Sequence, residues 1–330
     1  MDAIRVDSLR REFGETVAVD DITLSVPEGE LFGLLGPNGA GKSTLINMCC
    51  TLLGPTAGTA TVNGHDVHTE KSAVRDSIGV VFQETALDED LTGEENLSFH
   101  ARLYGLSAGE RRERIDEVLA LVDLAGVREK RVDEYSGGMK RRLEIARGLL
   151  HEPAVLFLDE PTLGLDAGTR RDTWEYIREM NETGVTVVLT THYMEEADAL
   201  CDRVAIVDDG HIVARDTPAA LKARLGGEVV AVETTDDPTP LVAALEDSGW
   251  VERVERTTAG LAVTPVEGAS RLPDIVRLAD RTSVTITTID RQTPTLETVF
   301  LSLTGREIAT GGDGAADVTP AMSASGGDTA

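Results

Sequence analysis

Nine consecutive residues carry the most specific chemistry in the sequence: Gly36-Pro37-Asn38-Gly39-Ala40-Gly41-Lys42-Ser43-Thr44. They match G-x-x-x-x-G-K-[ST], after the apolar run ELFGLL (30–35) and before a helix-patterned segment. That is the context in which this spacing forms a phosphate-binding loop. The glycines let the backbone wrap phosphate oxygens with its N–H groups pointing inward. Lys42 can reach the β- and γ-phosphates, and the Ser43 hydroxyl is a ligand for Mg²⁺. The expected cofactors are therefore a nucleoside triphosphate and Mg²⁺.

Five further positions could serve the same chemistry. Val155–Glu160 reads VLFLDE, a buried strand ending in two carboxylates. Asp159 at the strand tip can hold Mg²⁺ through water, and Glu160 can orient or deprotonate an attacking water. Gln83 closes the run IGVVFQ, where its amide could touch the metal or the water. His192 closes VTVVLTTH, where its imidazole could bond a γ-phosphate. Phe13, in REFGE, could stack on a base. Taken singly, Gln83 also fits a solvated turn, His192 an incidental strand end and Phe13 the core.

The segment Tyr135-Ser136-Gly137-Gly138-Met139-Lys140-Arg141 opens a basic, helix-patterned run in a chain of formal net charge −27. A Ser-Gly-Gly start leaves backbone N–H groups bare at the positive pole of a helix, and such a start attracts anions.

The order Phe13, phosphate loop, Gln83, YSGGM, Asp159-Glu160, Gly164-Leu165-Asp166, His192 resembles the nucleotide-binding subunit of ABC transporters, over residues 1–225. YSGGM matches that family's signature, with Met139 where Gln is usual. GTP-binding proteins would need an N-K-x-D motif, which is absent. The resemblance implies an ATP-binding and ATP-hydrolysing subunit that powers a separate integral membrane permease from the cytoplasmic face of the membrane. It implies ATP and Mg²⁺ as cofactors, with Ser43, Gln83 and Asp159 toward the metal and Glu160, His192 and Gln83 in catalysis. It further implies that Ser136, Gly137 and Gly138 cap a nucleotide held by a second copy or a paralogous subunit paired head to tail, and that Asp166 is a nucleotide-binding residue. The stretch TPTLETVFLSLTGRE (293–307) resembles the accessory domain of daunorubicin-resistance-type subunits, which favours export of a drug, lipid or polysaccharide. The competing reading is a soluble ABC-type ATPase acting on ribosomes or DNA. A third is a regulatory protein that holds ATP without turnover.

The elements that must position these residues alternate between strand and helix, which predicts a mainly parallel sheet with helices on its faces. The resemblance implies the full fold class: an α/β P-loop NTPase of ABC type with an antiparallel β subdomain, a helical subdomain at about 92–151, and a small α+β C-terminal domain. A composition shift at Gly226-Gly227 separates 1–225 from 228–306. The latter reads strand, helix, strand, strand, helix, strand, helix, close to a ferredoxin-like split β-α-β unit. Residues 307–330 are Gly, Ala, Asp, Ser and Thr-rich and are expected to be disordered. In the stretch 83–104, Leu87, Leu91, Leu97, Phe99, Leu103 and Tyr104 stand among acids and are expected to form a docking surface for a permease helix.

Composition narrows the class. No run of about 18 apolar residues occurs, so no membrane-spanning helix is expected, and the first residues lack a secretory pattern. Lysine supplies five of the 31 basic residues (42, 71, 130, 140 and 222) against 58 acidic ones. That balance fits a salt-rich cytoplasm and argues against nonspecific nucleic-acid binding. Cys49, Cys50 and Cys201 have no ligand or disulfide spacing, and the neighbouring Cys49 and Cys50 are expected to be small apolar filler on a buried helix.

Overall fold

A computed structural model describes residues 1–224, 229–257, 260–266, 271–292 and 294–305. The composition shift at 226–227 and the expected tail at 307–330 lie outside them. The chain opens with two long strands, β1 (Asp2–Phe13) and β2 (Thr16–Pro27), then β3 (Leu31–Leu35) and helix α1 (Lys42–Cys49). Next come β4 (Ala57–Val62), β5 (His65–Asp66), α2 (Lys71–Ser77) and β6 (Ile78–Val81). A helical stretch holds α3 (Gly93–Leu103), α4 (Ala108–Leu121) and α5 (Gly137–Leu149). It is followed by β7 (Val155–Asp159), α6 (Ala167–Glu182), β8 (Thr186–Thr191), α7 (Met194–Leu200), β9 (Arg203–Asp208), β10 (His211–Asp216) and α8 (Pro218–Ala223).

The central sheet runs β10-β9-β3-β8-β7-β6, parallel except for β10. Strands β3, β7 and β8 are buried at every position, because both faces are covered; this is why VLFLD and TVVLTT read as apolar runs and not as alternations. Side chains still sort by parity. Phe32, Leu34, Phe157 and Val188 face the antiparallel sheet β2-β1-β4-β5, where Ile4, Val6 and Leu24 meet them. Leu31, Leu35, Leu156 and Leu158 face the helical side, with Leu143, Ile145 and Leu97. The parallel core, antiparallel part and helical part expected from the sequence are all present.

Local chemistry sets the helix starts. Thr92 with Glu95 and Ser107 with Glu110 each form a reciprocal capping box. Strands end where helices must begin, so the loops after β3, β6, β7 and β8 gather at one edge of the sheet.

The remaining elements are β11 (Val229–Thr234), α9 (Thr239–Glu246), β12 (Val251–Arg256), β13 (Gly260–Pro265), α10 (Leu272–Thr282), β14 (Ile286–Gln292) and α11 (Leu296–Thr304). The sheet order β12-β13-β11-β14, all antiparallel, is that of a ferredoxin-like unit. It has its own core of Val230, Val232, Leu241, Leu245, Leu261, Val263 and Ile275. Helix α11 departs from it. Leu296, Val299 and Phe300 belong to the core shared with Ala197, Leu200 and Leu221 of α7 and α8. Helix α11, within the stretch that carried the accessory-domain resemblance, is thus a strap onto the larger unit.

Candidate functional site

The loop between β3 and α1 is shaped by backbone crowding. A Cβ on Gly36 would sit 2.1 Å from the Val207 carbonyl oxygen, so no side chain fits there. Gly41 caps α1 with a φ of 102°, a left-handed conformation suited to glycine. Together they fold residues 38–44 around a cavity of about 260 Å³, which Ala18, Gln83 and Glu160 also line.

Lys42 reaches back across this loop. Its Nζ donates to the carbonyl oxygens of Gly36 at 2.7 Å and Pro37 at 3.0 Å, and lies 3.9 Å from Glu160 Oε1. Burial lowers its pKa, opposed by the carboxylates of Glu160 and Asp159. Ser43 Oγ donates to Asp159 Oδ1 at 3.1 Å, and Thr190 Oγ1 donates to the same oxygen. Two hard oxygen donors side by side at the strand tip fit a small divalent cation bound through oxygen and water.

Glu160 follows Asp159 in a left-handed backbone conformation, φ 48°. For a non-glycine residue this costs roughly 1–3 kcal/mol and persists where neighbours over-determine it. Here Thr190 contributes: the Glu160 N–H donates to its carbonyl at 3.2 Å and its Oγ1 at 3.0 Å. The turn aims the Glu160 carboxylate at the loop cavity. His192 Nδ1 stands 3.1 Å from Glu160 Oε2 but is not aligned for a hydrogen bond.

The structure therefore brings Lys42, Ser43, Asp159, Glu160 and His192 together, with Gln83 at the cavity edge. Gln83 and His192 each lie just beyond their strand, which leaves both side chains on loops. Other expected site residues stand apart from this cavity. Phe13 is exposed at the end of β1, with the Arg11 guanidinium 4.5 Å from its ring centroid. Ser136 and Gly137 are exposed, while Gly138 is buried against Thr169. Ser136 Oγ caps α5 by accepting from the Met139 N–H at 3.2 Å. Asp166 caps α6, accepting from the N–H groups of Gly168 and Thr169 at 3.0 and 3.1 Å. In this chain its carboxylate is committed to a helix start and not to the cavity.

Sequence reasoning missed Thr190. Two threonines ending an apolar run were a usable signal, but that β8 lies beside Asp159 is a fact of sheet order. It also misread part of the 83–104 stretch. Leu87 and Leu97 are buried in the core, and Leu91 is half-buried. Phe99, Leu103 and Tyr104 are 55, 67 and 45 % exposed. On α3, Leu97 and Ala101 share the inward face, while Phe99 and Leu103 share the outward one. The expected surface shrinks to those three residues, with the Tyr104 ring stacked on His151 at 3.8 Å. The three cysteines are buried and free, as expected of Cys49 and Cys50, and burial pushes the Cys49 thiol up to about 12.

A parallel sheet with this loop at its edge, an antiparallel flank and a helical insert carrying Ser-Gly-Gly defines a P-loop ATPase of the ATP-binding cassette type. The ABC transporter family profile matches residues 19–163. The chain is 43% identical over 305 residues to a daunorubicin resistance ATP-binding protein of Streptomyces coeruleorubidus, covering 92% of this chain and 96% of that one. It is 39% identical over 307 residues to a Nod factor export ATP-binding protein of Rhizobium sp., covering 93% and 98%. Among solved structures, a dimeric ATP-binding cassette in a post-hydrolysis state with ADP and Pi superposes with a TM-score of 0.59 at 29% identity, covering 65% of this chain and 98% of that one. The chain belongs to the ATP-binding subunits of ABC transporters. It is an ATPase, and the permease it powers is a separate chain.

Proposed function

We propose that this chain is the motor of an exporter for a drug, lipid or polysaccharide, working as a head-to-tail dimer with a second copy or a paralogous subunit. The observation that carries this is the split geometry. Lys42, Ser43, Asp159 and Glu160 converge on one cavity, while Ser136 and Gly137 present an exposed helix start elsewhere on the surface. A second cassette would bring such a helix start to the γ-phosphate. Phe13 would stack on the adenine, and Asp166 would lie near the shared nucleotide. The export assignment draws on the relatives named for resistance and export.

In this reading the β- and γ-phosphate oxygens replace the Gly36 and Pro37 carbonyls as acceptors for Lys42. Ser43 and Asp159 would hold Mg²⁺, which spreads the charge that develops on the transferred phosphoryl group. Gln83 would touch the metal or the water from the cavity edge. Glu160 takes a proton from the attacking water, and His192 bonds the γ-phosphate beside it. Among the described residues no helix is long and apolar enough to cross a membrane, and in this reading the chain sits peripherally on the cytoplasmic face. The exposed Phe99, Leu103 and Tyr104 form the permease contact. Residues 1–225, with a helical subdomain at about 92–151, act as the cassette, and 228–306 as the accessory domain. The test is Glu160→Gln. It should bind ATP, stop turnover and trap a dimer visible by size exclusion with ATP and Mg²⁺. Hydrolysis at the wild-type rate would refute the role of Glu160. A cassette that binds no membrane protein would favour the soluble-ATPase alternative.

A further inference from the structure

Arg141 lies on α5, five residues after Ser136, and all of its recorded bonds go to main-chain carbonyls. Its Nε donates to Pro161 O at 2.8 Å, and one Nη donates to Phe82 O at 2.6 Å. The other Nη donates to Asp159 O at 2.9 Å and Glu160 O at 3.1 Å. A guanidinium has five N–H donors in a rigid planar fork, so one side chain can grip several diverging carbonyls. Three of these carbonyls are consecutive, and they span the residue whose backbone is left-handed, Glu160. The fourth precedes Gln83.

The same helix holds the far side of the Gln83 loop. Glu144 is fully buried, and its Oε1 accepts from the Ala86 N–H at 2.6 Å while its Oε2 accepts from Arg147 at 2.6 Å. One α-helix therefore carries the exposed Ser136 and Gly137 at its N-terminus and, one to two turns on, ties down both loops of the chain's own cavity. An α-helix transmits displacement along its length because its hydrogen bonds close every turn.

We propose that Arg141 is a positioning residue: it fixes the strained turn that aims Glu160 and links this base, through α5, to the helix start that would cap a partner's nucleotide. Capping one nucleotide and hydrolysing the other then become coupled events. The inference rests on the head-to-tail dimer, which the experiment tests separately.

The experiment uses the full-length protein and compares wild type with Arg141→Ala and Arg141→Lys. The readouts are ATPase rate against ATP concentration, binding of a fluorescent ATP analogue and thermal melting. Arg141→Ala should lower kcat about 100-fold, the scale of a misplaced reacting group. ATP affinity and melting temperature should stay near wild type, and the Hill coefficient should fall toward one. Lysine keeps the charge but not the fork, so Arg141→Lys should show the same split less severely. Wild-type kcat and cooperativity in both variants would overturn the proposal. So would a loss of ATP affinity and melting temperature in step with kcat, because that marks a purely structural residue. If Arg141→Ala does not fold, Arg141→Lys decides by the same criteria. A wild-type enzyme that hydrolyses ATP without cooperativity would overturn the dimer reading and the coupling with it, whereas unchanged variants of a cooperative enzyme would sink the role of Arg141 alone.

Discussion

Replacing both Phe99 and Leu103 by serine separates docking from packing on helix α3. The side chains are 55 and 67 % exposed, so their removal opens no cavity. Substitutions at such positions usually change stability by within about 0.5 kcal/mol. Burying a whole Leu or Phe side chain is worth roughly 1.5–3 kcal/mol. A docked permease helix could still bury about half of Phe99 and two-thirds of Leu103, which amounts to about 2–3.5 kcal/mol for the pair. The double variant should therefore bind its permease roughly 30- to 300-fold more weakly, at about 1.4 kcal/mol per tenfold. Basal ATPase should not change, because neither residue lines the loop 38–44 cavity. The control is Leu97→Ala two residues away. Leu97 is 0 % exposed, and its truncation should cost about 2–5 kcal/mol in urea unfolding of the isolated protein. The assay is co-purification and titration with its membrane permease, with ATPase rate and urea unfolding measured in parallel. Unchanged permease affinity in the double variant would refute the docking surface. A loss of stability matching that of Leu97→Ala would show that the outward face is packed after all.

Further outcomes follow from the same geometry. Ser136→Arg should leave ATP binding to the isolated chain intact and block the ATP-dependent dimer of Glu160→Gln, as size exclusion would show; lost monomer affinity would argue that the signature serves its own site. Glu196 is fully buried, with Oε1 accepting from Thr162 and Trp174. Burial raises its pKa from the ordinary 4.5, so the folded chain keeps a proton there that the unfolded chain has released. Stability from this group is greatest at acid pH and falls as pH rises above 4.5 toward the raised folded value. Glu196→Gln should therefore gain on wild type in urea unfolding as pH climbs through that window, and a constant difference would refute the assignment. With a formal charge of −27, melting temperature should rise as KCl approaches molar levels, because screening relieves self-repulsion; a flat or falling curve would sink the salt-adapted reading.

The sequence by itself determined the chemistry that depends on contiguous residues. Gly36–Thr44 fixes a phosphate loop because its glycines, lysine and serine act within one turn of backbone. VLFLDE announces a buried strand ending in carboxylates, and Ser136 announces a helix start. The strand pattern after residue 228 was enough to indicate a ferredoxin-like sheet, since alternation and turn spacing are local. What the sequence left open depends on which elements become neighbours. Thr190 supports Asp159 and Glu160 because β8 lies beside β7, and no local pattern encodes that order. Leu97 and Phe99 are both apolar residues on one helix, and the core beneath α3 alone decides which is buried. Helix α11 reads as part of the C-terminal unit but packs on α7 and α8. Arg141 and Arg142 are adjacent and alike in sequence. The tertiary structure places the first under three carbonyls of a left-handed turn and the second against Tyr176, because a single step along a helix rotates a side chain by about 100°.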